Sequence, residues 1–446
     1  MTPYSTRRAQ LIALMQVKGG GVAIIPTAPE VMRNRDADYP YRHDSYFYYL
    51  SGFMEPEAVV VLVAGEHPKA ILFCREKNLE REIWDGVRYG PVAAREKFGF
   101  DATFPIESLS TEMPKLLADA PSVFYALGHQ SDYDAKLQDW LGGVRAMGRA
   151  GVVAPSAIHN VQVLIDEMRL FKDADEIALM RRAGEISADG HCRAMRLSRP
   201  GLREYELEAE LLHEFRRQGS QYPAYGSIVA TGANACVLHY RASDAILKDG
   251  DLVLIDAGCE FDSYAGDITR TFPANGLFSG PQKELYEIVL ASQNAAIEVT
   301  RPGKHFMDGH DAAVRVLAQG MLDTGLLNKN KVGSLDDVIT NGDFRQFYMH
   351  RTGHWLGMDV HDVGEYRDLD ASIAEGESKP WRGLQPGMVT TIEPGIYVRP
   401  AEGVPEKYWN IGIRIEDDAL ITDTGCELMT TGAPRTVADI EALMRK

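Results

Sequence analysis

Asp256 and Asp267 stand eleven positions apart in LIDAGCEFDSYAGDITRTF. They open a scatter of carboxylates and imidazoles that continues through His350, His354 and His361 to Glu393 and Glu416. Carboxylate-rich donor sets completed by one or two imidazoles suit a pair of divalent cations, and paired cations perform hydrolysis. One carboxylate can span two ions with its two oxygens, and four balance the charge of two divalent ions. Ions held roughly 3.5–4 Å apart share a hydroxide, because they depress the pKa of bound water toward neutrality. The oxygen-rich set favours Mn²⁺, with Co²⁺, Fe²⁺ and Zn²⁺ as alternatives.

Each member has its own surroundings. Asp256 follows the apolar run LVLI, where an unpaired buried carboxylate would be costly, so a compensating cation is expected there. Glu393 follows Thr390, Thr391 and Ile392 and is held by Pro394 and Gly395. Glu416 has the charged neighbours Arg414, Asp417 and Asp418, which would equally fit an exposed strand edge. His350 and His354 are four apart and would both reach a metal if they lay on a helix. Gly353 and the excess of carboxylates argue that only one of the two is a ligand, the other orienting substrate or an oxyanion. His239 in VLHY fits a polar core residue as well as a site residue. His213 and Glu214 in HEFRR lack the second histidine of a zincin helix and read as surface.

Two similar segments would have to bring these side chains together. Residues 250–258 read GDLVLIDAG and residues 387–395 read GMVTTIEPG, each followed by a second acid, Asp267 in DITRTF and Glu416 in IRIEDDALIT. Two strands ending in glycine turns can match by chance over so short a stretch. The second acid in each half instead points to halves that fold alike and face one another, placing four carboxylates at one centre. Strand alternation would set Asp267 on a face with Thr269 and Thr271, and Glu416 on a face with Arg414, from which Arg414 would orient Glu416. Tyr397 is expected to line the same cavity, with a structural salt bridge for Arg414 and a packed phenol for Tyr397 as equal alternatives.

The surrounding elements are legible from periodicity. Apolar runs at 22–25, 58–64 and 70–73 predict buried strands of an α/β unit. Helical spacing follows at 175–197, 204–217, 286–299 and 312–322, with strands at 227–231, 252–256 and 267–272 and a loop over 362–382. The fold class is therefore α/β (α+β), with an N-terminal domain over 1–172 and a pseudo-symmetric catalytic domain over 173–446; a chain of 446 residues is long for a single core.

Composition narrows the partners. A net charge of −17, from 47 basic against 64 acidic residues, disfavours nucleic acid and anionic membranes. The five cysteines are scattered without a C-x-x-C pair, which fits a reducing cytoplasm and neither a disulfide framework nor a thiolate zinc site. The apolar stretch at 11–15 is too short for a signal peptide, and no run reaches membrane-spanning length.

The segments LIDAGCEFDSYAGDITRTFP, HWLGMDVHDVG, TIEPGIYV and NIGIRIEDD resemble the proline-specific metallopeptidases of the pita-bread fold, and among them the aminopeptidase P family. The likeness extends through RLFKDADEIALMRRAGEI to HDSYFYYLSGFMEPEAVVVL, and so covers nearly the whole chain. The resemblance implies that Asp256 binds one metal, Asp267 and Glu416 bridge both, and His354 with Glu393 completes the other. It also implies that Glu393 assists proton transfer while His350, His361 and His239 line the pocket around the scissile bond. The implied substrates are peptides with proline second, and the implied assembly is a homodimer or homotetramer, in which Trp84 could reach a neighbouring subunit's pocket or else be core. Prolidase, restricted to Xaa-Pro dipeptides, and a non-catalytic pita-bread module are the alternatives. One departure is visible: relatives often have glycine after the position of His350, where this chain has Arg351 and Thr352, side chains large enough to narrow the pocket or contact substrate.

Overall fold

The computed structural model describes residues 2–241, 244–372 and 377–445. The chain divides into two compact units, Met1–Met168 and Arg169–Lys446.

In the first unit the apolar runs become strands β1 (Gly21–Pro26), β2 (Val59–Ala64) and β3 (Lys69–Cys74), joined by β4 (Ala102–Pro105), β5 (Ser122–Phe124) and β6 (Ala157–His159). They form one mixed sheet in the order β4-β3-β2-β1-β5-β6. β1 and β2 are buried almost throughout, which is why they read as continuous apolar runs and not as alternation. Val22, Ile24, Val59, Val61 and Phe73 pack on two helices, through Met113 of Leu109–Leu117 and Trp140 of Ser131–Ala146. The short helix Leu79–Asp85 behaves differently, because none of its residues is buried and Leu79, Ile83 and Trp84 are 78%, 81% and 83% exposed. Trp84 is therefore not a core residue of this unit.

The second unit repeats one order of elements: a helix pair, then antiparallel strands. Helices Ala174–Leu197 and Glu204–Arg217 precede β7 (Ile228–Thr231), β8 (Leu252–Asp256) and β9 (Thr269–Pro273). Helices Gly280–Val299 and Phe306–Asp323 precede β10 (Val389–Ile392), β11 (Gly395–Val398), β12 (Ile411–Arg414), β13 (Asp417–Ile421) and β14 (Cys426–Leu428). Asp173 caps the first helix in a reciprocal box with Glu176, which fixes its start. β8 lies between β7 and β9, β13 lies between β10 and β14, and β11 pairs with β12. A shared core joins both halves, including Ile186, Phe215, Val253 and Phe272 from the first and Leu285, Leu317, Ile396 and Ile413 from the second. The segment expected as a loop carries only turns and an isolated bridge between Arg367 and Trp381 in its described part.

Candidate metal centre

Asp256 ends β8, and its partner across the ladder is Thr269. Between them the chain folds back so tightly that a Cβ on Gly258 would stand 1.7 Å from the Gly266 carbonyl oxygen. Only glycine permits that approach. It leaves Asp267 two residues ahead of Thr269, in the turn and not on the strand, with Asp256 within reach. The Tyr225 hydroxyl contacts both, standing 2.6 Å from Asp256 Oδ1 and also against Asp267 Oδ1.

The second half is built to a similar plan with a different register. Ile392 pairs with Asp417, so one further step sets Glu393 opposite Glu416. Asp256 and Glu393 are equivalents in the repeated segment, which makes Thr269, and not Asp267, the equivalent of Glu416. The hairpins repeat while the second acids do not. Across the centre Thr269 Oγ1 donates to Glu416 Oε2 at 2.6 Å, and the next residues of each strand, Arg270 and Asp417, form an ion pair at 2.7 Å with no exposure. Asp418 accepts the Asp267 N–H at 3.1 Å. Glu416, Asp417 and Asp418 are all buried, so the exposed-edge alternative for Glu416 is overturned.

The imidazoles enter from the loop before β10, which is not helical. His354 Nε2 lies 3.5 Å from Asp267 Oδ2 and 3.7 Å from Glu393 Oε1. Its backbone N–H donates to Thr391 Oγ1, and its Nδ1 sits 3.0 Å from the Trp355 carbonyl. A hydrogen on Nδ1 leaves the Nε2 lone pair free for a cation. His350 sits one step out, with Nδ1 2.7 Å from the Arg351 carbonyl, Nε2 2.8 Å from the Tyr397 hydroxyl, and Glu393 Oε2 3.8 Å away. Of the two, His354 stands in a group that could hold an ion, since ligand atoms of Asp267, His354 and Glu416 all lie within 4.8 Å of one another.

A cleft of about 530 Å³ opens over this cluster, lined by the four acids, His239, His350, His354, His361, Arg351 and Arg414, with Tyr225, Tyr240 and Tyr366 on its walls. The His361 ring meets that of His354 edge-on at 4.2 Å, and His239 is exposed on the wall and is no core residue. Two open alternatives are decided. Arg414 pairs with Asp256 at 2.6 Å and donates to Tyr397 and Thr269, so it braces Asp256 and does not orient Glu416 directly. Tyr397 is 1% exposed and lies behind His350 and Arg414, away from the cleft wall. Thr352, too, faces inward, with its hydroxyl against Tyr348 and His310 and its carbonyl accepting the Glu393 N–H at 2.7 Å. It narrows nothing.

The electrostatics follow from crowding. Burial and neighbouring acids raise the carboxyls of Asp267 and Glu416, and burial, opposed by His354 and Arg414, lifts Glu393 to about 7. Burial disfavours a charged His354, but its contacts with Asp267 and Glu393 prevail and push it to about 9. Burial and Arg414 drive His350 down to about 3, so it is neutral. Four converging acids face one guanidinium and one imidazole. Such a set keeps protons unless divalent cations replace them, and its oxygens, with the Nε2 of His354 once its proton is displaced, fit such cations. Tyr225 had no signal in the sequence, and the roles of Thr269 and Asp418 did not show there either, since all three matter through partners distant along the chain.

Comparison with known proteins agrees with this geometry. Residues 178–423 match the model of metallopeptidase family M24, and residues 4–125 match the aminopeptidase P N-terminal domain. The chain is 44% identical to the Xaa-Pro aminopeptidase of Escherichia coli (strain K12), over 99% of this chain and 97% of that protein. Its structure is similar to that of Pseudomonas aeruginosa aminopeptidase PepP, with 50% identity, 99% and 97% coverage of the two chains, and a TM-score of 0.94. It is similar also to an Escherichia coli aminopeptidase P variant in complex with substrate, with 44% identity, the same coverage, and a TM-score of 0.93.

Proposed function

The chain belongs to metallopeptidase family M24, and from that membership and its site we infer a metal-dependent exopeptidase that removes the first residue from peptides whose second residue is proline. It is a Xaa-Pro aminopeptidase. The observation that carries the reading is the convergence of four acids and His354 under one cleft, in a chain similar end to end to Xaa-Pro aminopeptidases. A prolidase is not favoured, because the similarity to aminopeptidases covers both units.

The site fits two divalent ions, Mn²⁺ first and Co²⁺, Fe²⁺ or Zn²⁺ otherwise. In this reading Asp256 would hold one ion, His354 and Glu393 would hold the other, and Asp267 and Glu416 would be ligands shared by both. When bound, the ions supply an activated water and polarise the scissile carbonyl. The protein does the rest. Glu393 can take a proton from the attacking water and return it at the prolyl nitrogen. His361 and His350 flank the carbonyl, His350 held neutral and oriented by Tyr397 and the Arg351 carbonyl. His239 bounds the substrate on the outer wall, and the acidic floor attracts the free amino terminus.

Further along the reading, the exposed apolar face at 79–84 supports a homodimer or homotetramer, with Trp84 placed to approach a neighbouring copy. Among the described residues no helix is long and apolar enough to cross a membrane. All five cysteines are free thiols, four of them buried, which supports a cytoplasmic setting. The net charge speaks against nucleic acid as a partner. The deciding assay compares Xaa-Pro dipeptides with Xaa-Pro-Yaa and longer peptides, with and without added Mn²⁺. We expect metal-dependent release of the first residue from the longer peptides, and cleavage confined to dipeptides would reverse the assignment.

A further inference from the structure

The aminopeptidase reading leaves Arg351 without a task. Arg351 lines the cleft beside His350 and is exposed, yet among the described residues no carboxylate lies within ion-pairing distance of it. The other arginine so close to the acids, Arg414, is buried and committed to Asp256, Thr269 and Tyr397. Arg351 is also held in place. Its guanidinium lies 5.4 Å from the centre of the Trp381 ring, and the same ring carries Arg367 at 3.3 Å, which in turn donates to the Lys379 carbonyl. A guanidinium resting on an aromatic surface loses little further freedom on binding and keeps its N–H fork available. Its neighbour Thr352 is fixed from within by Tyr348 and His310, so the backbone beneath Arg351 is rigid.

Charge tells what such a group would receive. The four acids of the cleft floor are matched to two divalent ions and Arg414 is committed to Asp256, so the floor offers a substrate carboxylate no free cationic side chain. The amino terminus and the scissile carbonyl occupy the floor, and the chain beyond the proline must leave through the mouth. We propose that Arg351, braced by Trp381, is a carboxylate subsite for the part of the peptide beyond the proline. It would favour peptides that present there either the C-terminal carboxylate of a short chain or an acidic side chain. This rests on the aminopeptidase reading and deepens it, since it names which Xaa-Pro peptides are preferred.

The test uses four substrates: a tripeptide Xaa-Pro-Yaa as free acid and as amide, and an amidated pentapeptide with Glu or Gln at its third position. For the wild-type holoenzyme the KM of each neutral form should exceed that of its charged counterpart by about tenfold in at least one pair, with kcat nearly equal. The pair that discriminates identifies the source of the carboxylate. That ratio should fall to about one in Arg351→Met, be largely restored in Arg351→Lys, weaken in Trp381→Leu, and shrink as salt is raised. A ratio taken within one variant is insensitive to how much of that variant folds. Equal KM values across both pairs for the wild type overturn the subsite and leave the aminopeptidase reading intact. A ratio that survives in Arg351→Met, or is lost instead in Arg241→Met, another arginine lining the cleft, overturns the assignment to Arg351. Cleavage of none of the four overturns the aminopeptidase reading and the subsite with it.

Discussion

At the scale of single residues, the centre is a set of groups each of which is unfavourable without the others. Glu416 is buried against Thr269, and Asp267 is buried against Tyr225 and the ring of His354. Asp267→Ala and Glu416→Ala should each lower kcat/KM by about a hundredfold or more and weaken metal binding measured by calorimetry. Full activity in either variant would end the dinuclear reading. The pKa shifts predict how the metal-free protein responds to pH. Folding raises Glu393 from 4.5 to about 7 and His354 from 6.5 to about 9, so the folded state binds protons more tightly than the unfolded one in both windows. Stability that is complete below the lower values is lost as pH rises through the higher ones. His350, His191 and His310, which burial holds neutral, work in the opposite sense below about pH 6.5, so the Tm of the chelated protein should fall between about pH 7 and pH 9. Saturating Mn²⁺ should flatten the dependence, because cations take over the role of those protons. A Tm of the chelated protein that rises across this range would contradict the assignment.

At the scale of elements, the site depends on two hairpins held in fixed register. The first turns only because Gly258 and Gly266 touch backbone to backbone, and the distance a Cβ would meet there is too short to relax around. Gly258→Ala should separate Asp256 from Asp267 and cut activity by about a hundredfold, more than expected from any loss of soluble protein. Near-normal kcat/KM would show that the hairpin tolerates opening. The buried pair of Arg270 and Asp417 ties the two hairpins across the centre, and Arg270 also donates to the Glu416 carbonyl. These elements were largely readable in advance. Strand 252–256 and the helices at 175–197 and 204–217 follow from periodicity and appear within a residue or two of their expected bounds. The strand expected at 267–272 begins instead at Thr269, since the glycine turn takes Asp267 out of the ladder.

At the scale of the whole molecule, the apolar face at 79–84 is the feature least suited to an isolated chain. Leu79, Ile83 and Trp84 project from a helix that buries none of its own residues. Ile83→Glu combined with Trp84→Ala should lower the mass seen by light scattering to that of a smaller assembly, without altering the far-UV spectrum. An unchanged mass would place the contact elsewhere.

The sequence by itself determined the chemistry on offer. The types and order of Asp256, Asp267, His354, Glu393 and Glu416, the repeated glycine-bounded strands and the helical periods are local properties, and a local pattern needs no partner to be read. The tertiary structure decided what each group faces. Arg414 turned to Asp256 and not to Glu416, Tyr397 fell behind His350, Tyr225 entered the centre, and Thr269 and Asp418 took partners there that their neighbours in the sequence do not indicate. These are contacts between residues up to 158 positions apart, as between Asp256 and Arg414. Spacing along a chain gives the period of an element. It carries no record of the angle at which two elements meet, and that angle is set by the packing of a core shared by both halves.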